Sequence, residues 1–210
     1  MSLEIRDPEE ARALADILDV LAGLFAKEIH AEDLEALTSE AMVAMFKELG
    51  STAPADLRER RVRIGDDALL EELAVDFADT FLGPGPHVGP HESIHRADAA
   101  ERSHWGPSTA EVSRFLREHG IEIDDGFSGF PDHLSIELGV VAQLLRLFAE
   151  SDDPRESNEA MSLARGFIDE HLSQWLPAFL EELKGHTNEG FYRDLGQVTG
   201  VVAAEFLGVA

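Results

Sequence analysis

Four of the nine histidines, His87, His91, His95 and His104, lie between residues 87 and 104. Within them, His91-Glu92-Ser93-Ile94-His95 matches H-E-x-x-H. On a helix this spacing sets two imidazoles on one face, where they can bind zinc while the glutamate activates water. A catalytic zinc site needs a third protein ligand, and His87 is the nearest candidate. Gly89-Pro90 puts His91 at the edge of any helix, so adventitious metal binding and an ordinary polar loop compete with that reading. Asp132-His133 has the residue types of an acid–base dyad. Adjacent residues on a helix do not face each other, and an aspartate at a helix start more simply accepts backbone N–H bonds. Gly83-Pro84-Gly85-Pro86 is no phosphate loop, because two prolines remove donors and no lysine is near. Trp175 fits an apolar helical stripe, so Trp105, between His104 and Gly106, is the better candidate for a ring that contacts a peptide.

Helices must position these residues, since the apolar spacing is helical almost throughout. Asp7-Pro8-Glu9-Glu10 is a helix start, followed by Leu14, Ile17, Leu18, Leu21, Leu24 and Phe25 at helical spacing. A second helix is predicted over 38–49, burying Ala41, Met42, Met45 and Leu49 and ended by Gly50 to Pro54. A third is predicted over 66–82, with Leu69, Leu70, Leu73, Phe77 and Phe81 inward. The glycines and prolines of Gly83 to His104 support no regular element in its first half, and so long a loop is a functional candidate. Helical spacing returns from Pro107 to His119. Phe130-Pro131-Asp132 opens a strongly apolar helix through Leu134, Leu138, Val141, Leu145 and Phe148, ended by Ser151 to Pro154. Met161 to Trp175 mark the next helix, Pro177 starts a short one, and the last runs from Asn188 past Phe206. No convincing strand or repeat is present. Eight or nine helices in one domain over 1–210 give an all-α bundle, with 83–106 as its functional loop.

Composition narrows the chemistry. The chain has 210 residues, 44% of them hydrophobic, with 17 Lys+Arg against 42 Asp+Glu and a formal net charge of −25. That charge excludes general nucleic-acid binding and opposes docking on anionic membranes. Zero cysteines exclude disulfides, thiolate metal sites and thiol catalysis. The opening MSLEIRDPEE is acidic and lacks a signal-peptide core, and no run approaches the roughly 18 apolar residues of a span. These features predict a soluble cytoplasmic protein. Fourteen of the basic residues are Arg and 3 are Lys, the acids being spread along the whole chain, as on a surface adapted to a high-salt cytoplasm. In molar salt the screening length is about 3 Å, so direct contacts rather than long-range steering would select a partner.

Several motifs occur in a recognisable order. Phe77 with Phe81-Leu82-Gly83-Pro84, then Pro90-His91-Glu92-Ser93-Ile94-His95-Arg96, resembles the F-x-G-P … P-x-E-S-V-[YH] segment of the TorD/DmsD/NarJ family. Pro131-Asp132-His133-Leu134 with Glu137-Leu138 resembles its P-D-H-x-x-x-E hallmark. Phe167-Ile168-Asp169-Glu170-His171-Leu172, Trp175 and Phe191-Tyr192-Arg193-Asp194-Leu195 resemble its C-terminal pattern. The resemblance covers residues 10–207.

It implies an all-helical cytoplasmic chaperone, with no catalysis and no cofactor of its own, that recognises the leader of an apo-molybdoenzyme subunit. Such leaders commonly carry a twin-arginine signal, and the chaperone holds the subunit until molybdopterin is inserted, which prevents premature export. Family members form dimers, in some cases by domain swapping, so a homodimer is among the expectations. The peptide-binding residues implied by position are Gly83, Pro84, Pro90, Glu92, Ser93, Pro131, Asp132 and His133. An apolar groove would take the leader's apolar stretch, with Asp132, Glu92 and Glu137 as candidate arginine partners. The competing functions are a zinc-dependent hydrolase built on His91, Glu92 and His95, and a helical adaptor with another partner.

Overall fold

The computed structural model describes residues 5, 7–82, 87–96, 106–123, 127, 129–186 and 190–209. Its helices are α1 (Pro8–Ala26), α2 (Ala31–Leu37), α3 (Glu40–Glu48), α4 (Ala53–Ile64), α5 (Asp66–Phe77), α6 (Glu92–His95), α7 (Pro107–His119), α8 (Leu134–Glu150), α9 (Pro154–Phe167), α10 (Ser173–His186) and α11 (Phe191–Val202). Three wider π-type turns, Ala78–Leu82, Ile168–Leu172 and Ala203–Leu207, continue α5, α9 and α11. Among the described residues there is no strand, so the chain is all-α as its periodicity predicts. No described helix is long and apolar enough to cross a membrane.

The described residues form two compact units, drawn from Met1–Ala26, Pro90–Phe179 and Ala203–Ala210, and from Lys27–Gly89 and Leu180–Val202. In the first, α1 and α8 run antiparallel. Arg12 donates to the Ala149 carbonyl at 2.6 Å near the end of α8, while Arg146 pairs with Asp16 at 2.8 Å and Asp19 at 2.6 Å. These exposed pairs add little, about 0–1 kcal/mol each. The cohesion comes from Leu14, Leu18, Leu21 and Phe25 of α1 and Leu138, Val141 and Leu145 of α8, all buried. Full burial of one such side chain is worth about 1.5–3 kcal/mol.

In the second unit Phe77, Phe81 and Tyr192 form an edge-to-face triangle with centroids 5.2–5.3 Å apart. Asp76 accepts the Tyr192 N–H at 3.4 Å and so caps α11. Burial raises the Asp76 carboxyl above its usual range, against the opposing pull of the Tyr192 and Phe191 amides. Gly190 approaches that carboxylate so closely, with φ +144°, that a Cβ would lie 2.7 Å from Asp76 Oδ1.

The structure corrects several sequence expectations. Residues 53–64 form α4 where a helix end was expected. Arg58, Arg60, Arg61 and Arg63 hide its stripe, and only Ala53, Pro54 and Leu57 are buried. The separate α2 is also new, held by Leu34 and Leu37 with Asp33 accepting the His30 N–H at 3.0 Å. In α3 it is Phe46 that is buried, whereas Ala41 is exposed. Pro177 lies inside α10 rather than at a start. The preceding π-type turn, in which the Ser173 N–H reaches Ile168, merges α9 and α10 into one run. The expected start of the last helix at Asn188 lies outside the described residues, as do Gly83, Pro84, His104 and Trp105.

Candidate functional site

The two motif segments meet. His91 and His133 form an isolated antiparallel bridge. The Glu92 N–H donates to the Asp132 carbonyl at 2.9 Å, and the Leu134 N–H donates to the Pro90 carbonyl at 2.9 Å. This junction completes the start of α8, whose first four amides have no partner within the helix. Leu134 uses Pro90, Ser135 uses His133 Nδ1 at 3.1 Å, and Ile136 and Glu137 use the His133 carbonyl at 2.9 and 3.1 Å. His133 is therefore the N-cap, and α8 begins two residues later than the Pro131-Asp132 signal suggested. Asp132 serves another helix: its Oδ2 accepts the Ser93 N–H of α6 at 2.9 Å.

Acceptance at Nδ1 requires a neutral His133 ring with its proton on Nε2. Burial, reinforced by His91, lowers its pKa to about 3. The ring lies 4.8 Å from the His91 ring and 5.4 Å from Phe127, and His91 lies 5.9 Å from Phe130. His91, Phe127, Phe130 and Pro131 are half-buried and rim the junction.

Beneath it lies a buried polar core. Glu92 is 0% exposed. Its Oε1 accepts Arg96 at 2.8 Å and its Oε2 meets His171 Nδ1 at 2.9 Å. Glu137, also 0% exposed, accepts the Trp175 indole N–H at 2.9 Å. Burial, with the nearby Glu92 and Asp132 carboxylates, pushes Glu137 well above the usual carboxylate range. Ser93 Oγ, Asp132 Oδ1 and Glu137 Oε1 are buried without a hydrogen bond among the described residues.

Of the sequence-predicted binding residues, Pro90, Glu92, Ser93, Asp132 and His133 are brought together and buried, with Pro131 half-buried beside them. Gly83 and Pro84 lie outside the described residues. Glu92 and Asp132 have internal partners, so direct contact with a leader arginine is not displayed by this arrangement. Sequence reasoning did not connect His171 and Arg96 to Glu92. The only available signal was their place in the motif series.

The H-E-x-x-H residues face different surroundings. His91 is the N-cap of α6 with extended backbone, outside the helical spacing a two-histidine ligand pair needs. His95 stacks on Trp175 at 5.9 Å and meets Phe179 at 5.4 Å. Among the described residues no group of three or more His, Cys, Asp or Glu is placed to hold a metal ion.

Comparison with known proteins bears on this arrangement. A family model described as nitrate reductase delta subunit matches residues 38–181. A protein named chaperone protein TorD from Vibrio vulnificus is 30% identical over 201 residues, covering 91% of each chain. A TorD from Shewanella oneidensis is 29% identical over 204 residues, covering 92% of this chain and 87% of its own. A TorD from Escherichia coli O157:H7 is 31% identical over 196 residues, covering 90% and 92%.

Proposed function

The chain belongs to the TorD/DmsD/NarJ family, and on that premise we propose that it is a maturation chaperone for a molybdenum-containing oxidoreductase. In this reading it binds the N-terminal, twin-arginine-type leader of the apo-subunit, assists folding and cofactor insertion, and delays export until insertion is complete. It works in the cytoplasm, as a binder rather than an enzyme.

The observation that carries the reading is the junction of 90–96 with 131–134. Two motifs far apart in sequence share backbone bonds there, under a half-buried rim of His91, Phe127, Phe130 and Pro131. Such a rim suits the apolar stretch of an extended or helical peptide. Gly83, Pro84, Pro90, Glu92, Ser93, Pro131, Asp132 and His133 make up the proposed peptide-binding set, with 83–106 as the proposed functional loop. Within it the buried members act mainly by holding the rim in place. Ser93 Oγ and Asp132 Oδ1 lack hydrogen bonds among the described residues, and each buried unsatisfied group costs about 1–3 kcal/mol. A leader that supplied donors there, or a small opening of the junction, would recover that cost.

Affinity capture from the native lysate, at its own salt concentration, tests the function. The expected co-purifying protein is a molybdoenzyme catalytic subunit that still carries its leader. Recovery of only the mature, cofactor-loaded enzyme, or only of proteins without molybdenum chemistry, would contradict the proposal and favour an adaptor.

A further inference from the structure

We propose that a cavity in the first unit, lined by His171, binds the guanidinium group of a peptide arginine. The inference deepens the leader reading and rests on it for the source of the arginine. The preference for a guanidinium rests on the geometry.

The cavity has a volume of about 480 Å³ and is lined by Arg96 just after α6, by α7, by the Ile168–Leu172 turn and by the first turn of α10. His171 is 4% exposed, and its ring lies 4.6 Å from that of Phe167. Its Nδ1 meets Glu92 Oε2 at 2.9 Å. An ionised carboxylate only accepts, so Nδ1 carries the hydrogen, which in the neutral tautomer leaves Nε2 as an acceptor. Nε2 has no hydrogen bond among the described residues. A buried imidazole is thus oriented by a buried carboxylate and lines an open cavity.

The other open groups on the lining are mostly acceptors too. Glu118, Asp169 and Glu170 form no side-chain hydrogen bond or ion pair among the described residues. Arg96 is already committed, to Glu92 at 2.8 Å and Glu111 at 3.6 Å. Phe115 adds a half-buried aromatic ring. A guest must therefore be cationic, rich in N–H donors and flat enough to lie on a ring. A guanidinium meets all three conditions, whereas an ammonium offers a compact point charge. Arg114, exposed on the same lining, is the cation a guest would have to displace toward solvent.

The test is a titration of the full chain with N-acetyl-argininamide, followed through the imidazole nitrogens of His171 by NMR. N-acetyl-lysinamide and N-acetyl-citrullinamide are the controls. Argininamide should shift the Nε2 resonance saturably, and both controls should bind at least about fivefold more weakly. The exposed double variant Glu118→Gln/Glu170→Gln should weaken argininamide about tenfold, and Arg114→Ala should tighten it. An unmoved Nε2 resonance, or equal binding of the lysine analogue, overturns the inference. A leader peptide titrated in parallel separates the two proposals. Equal leader binding by wild type and the double variant overturns the cavity and spares the leader reading. Argininamide binding at His171 without any leader binding supports the cavity and overturns the reading.

Discussion

Asp132 Oδ2 accepts the backbone N–H of Ser93 at 2.9 Å, across 39 residues of chain. An aspartate that introduces one helix thereby caps a different and much shorter one. Four-residue α6 cannot satisfy its own first amides, so the P-D-H segment fixes its position.

The cap predicts the ranking of two variants. Asp132→Ala should cost about 1–2 kcal/mol. Asp132→Asn should recover part of that loss, since an amide oxygen still accepts. Urea denaturation measures both, and equal losses would contradict the capping role.

Two neighbouring glutamates should respond unequally to the same change. Glu92 is buried between Arg96 and His171, so Glu92→Gln, which breaks that pairing, should destabilise by about 3 kcal/mol. Burial raises the Glu137 pKa and so favours its neutral form, and glutamine keeps an acceptor for the Trp175 indole. Glu137→Gln should therefore cost less than about 1 kcal/mol. A larger loss at 137 than at 92 would contradict this ranking.

Acid stability follows from His133. Its pKa falls from the ordinary 6.5 to about 3 in the fold, chiefly through burial. Between those values the unfolded chain binds a proton that the folded chain does not, so stability drops as pH falls from 6.5 toward 3. The slope contribution approaches about 1.4 kcal/mol per pH unit. Glu137 acts in reverse: its raised pKa contributes fully below the ordinary 4.5 and is lost as pH rises above it. His133→Asn keeps a capping acceptor but removes the titration. Its denaturation midpoint should vary less between pH 6.5 and 4 than that of the wild type, and an unchanged slope would contradict the assignment.

Gly190 should not tolerate a side chain. A Cβ there would sit 2.7 Å from Asp76 Oδ1 at φ +144°, displacing the group that caps α11. Gly190→Ala should cost about 1–3 kcal/mol. In an Asp76→Ala background the added cost should shrink, which a double-mutant cycle on thermal unfolding would show.

Most long helices were legible from apolar spacing, because α1, α7 and α8 each bury a regular stripe. α4 was not, since its buried residues Ala53, Pro54 and Leu57 are confined to its start and four arginines fill the rest. The meeting of Pro90–Arg96 with Pro131–Leu134 was legible only as a resemblance, and local periodicity holds no trace of it. Burial was the least readable property. Asp132 and Glu92 have the chemistry of arginine ligands, yet Asp132 takes the Ser93 amide 39 residues away, and Glu92 takes Arg96 four residues on and His171 79 residues away, all inside the fold.

Calorimetric titration of the full chain with the leader peptide of a molybdoenzyme from the same organism, in its native salt, addresses the central claim most directly. The account predicts saturable one-to-one binding, weakened by Pro131→Ala at the rim while the helical signal is retained. Heats no larger than dilution for every such leader would contradict it.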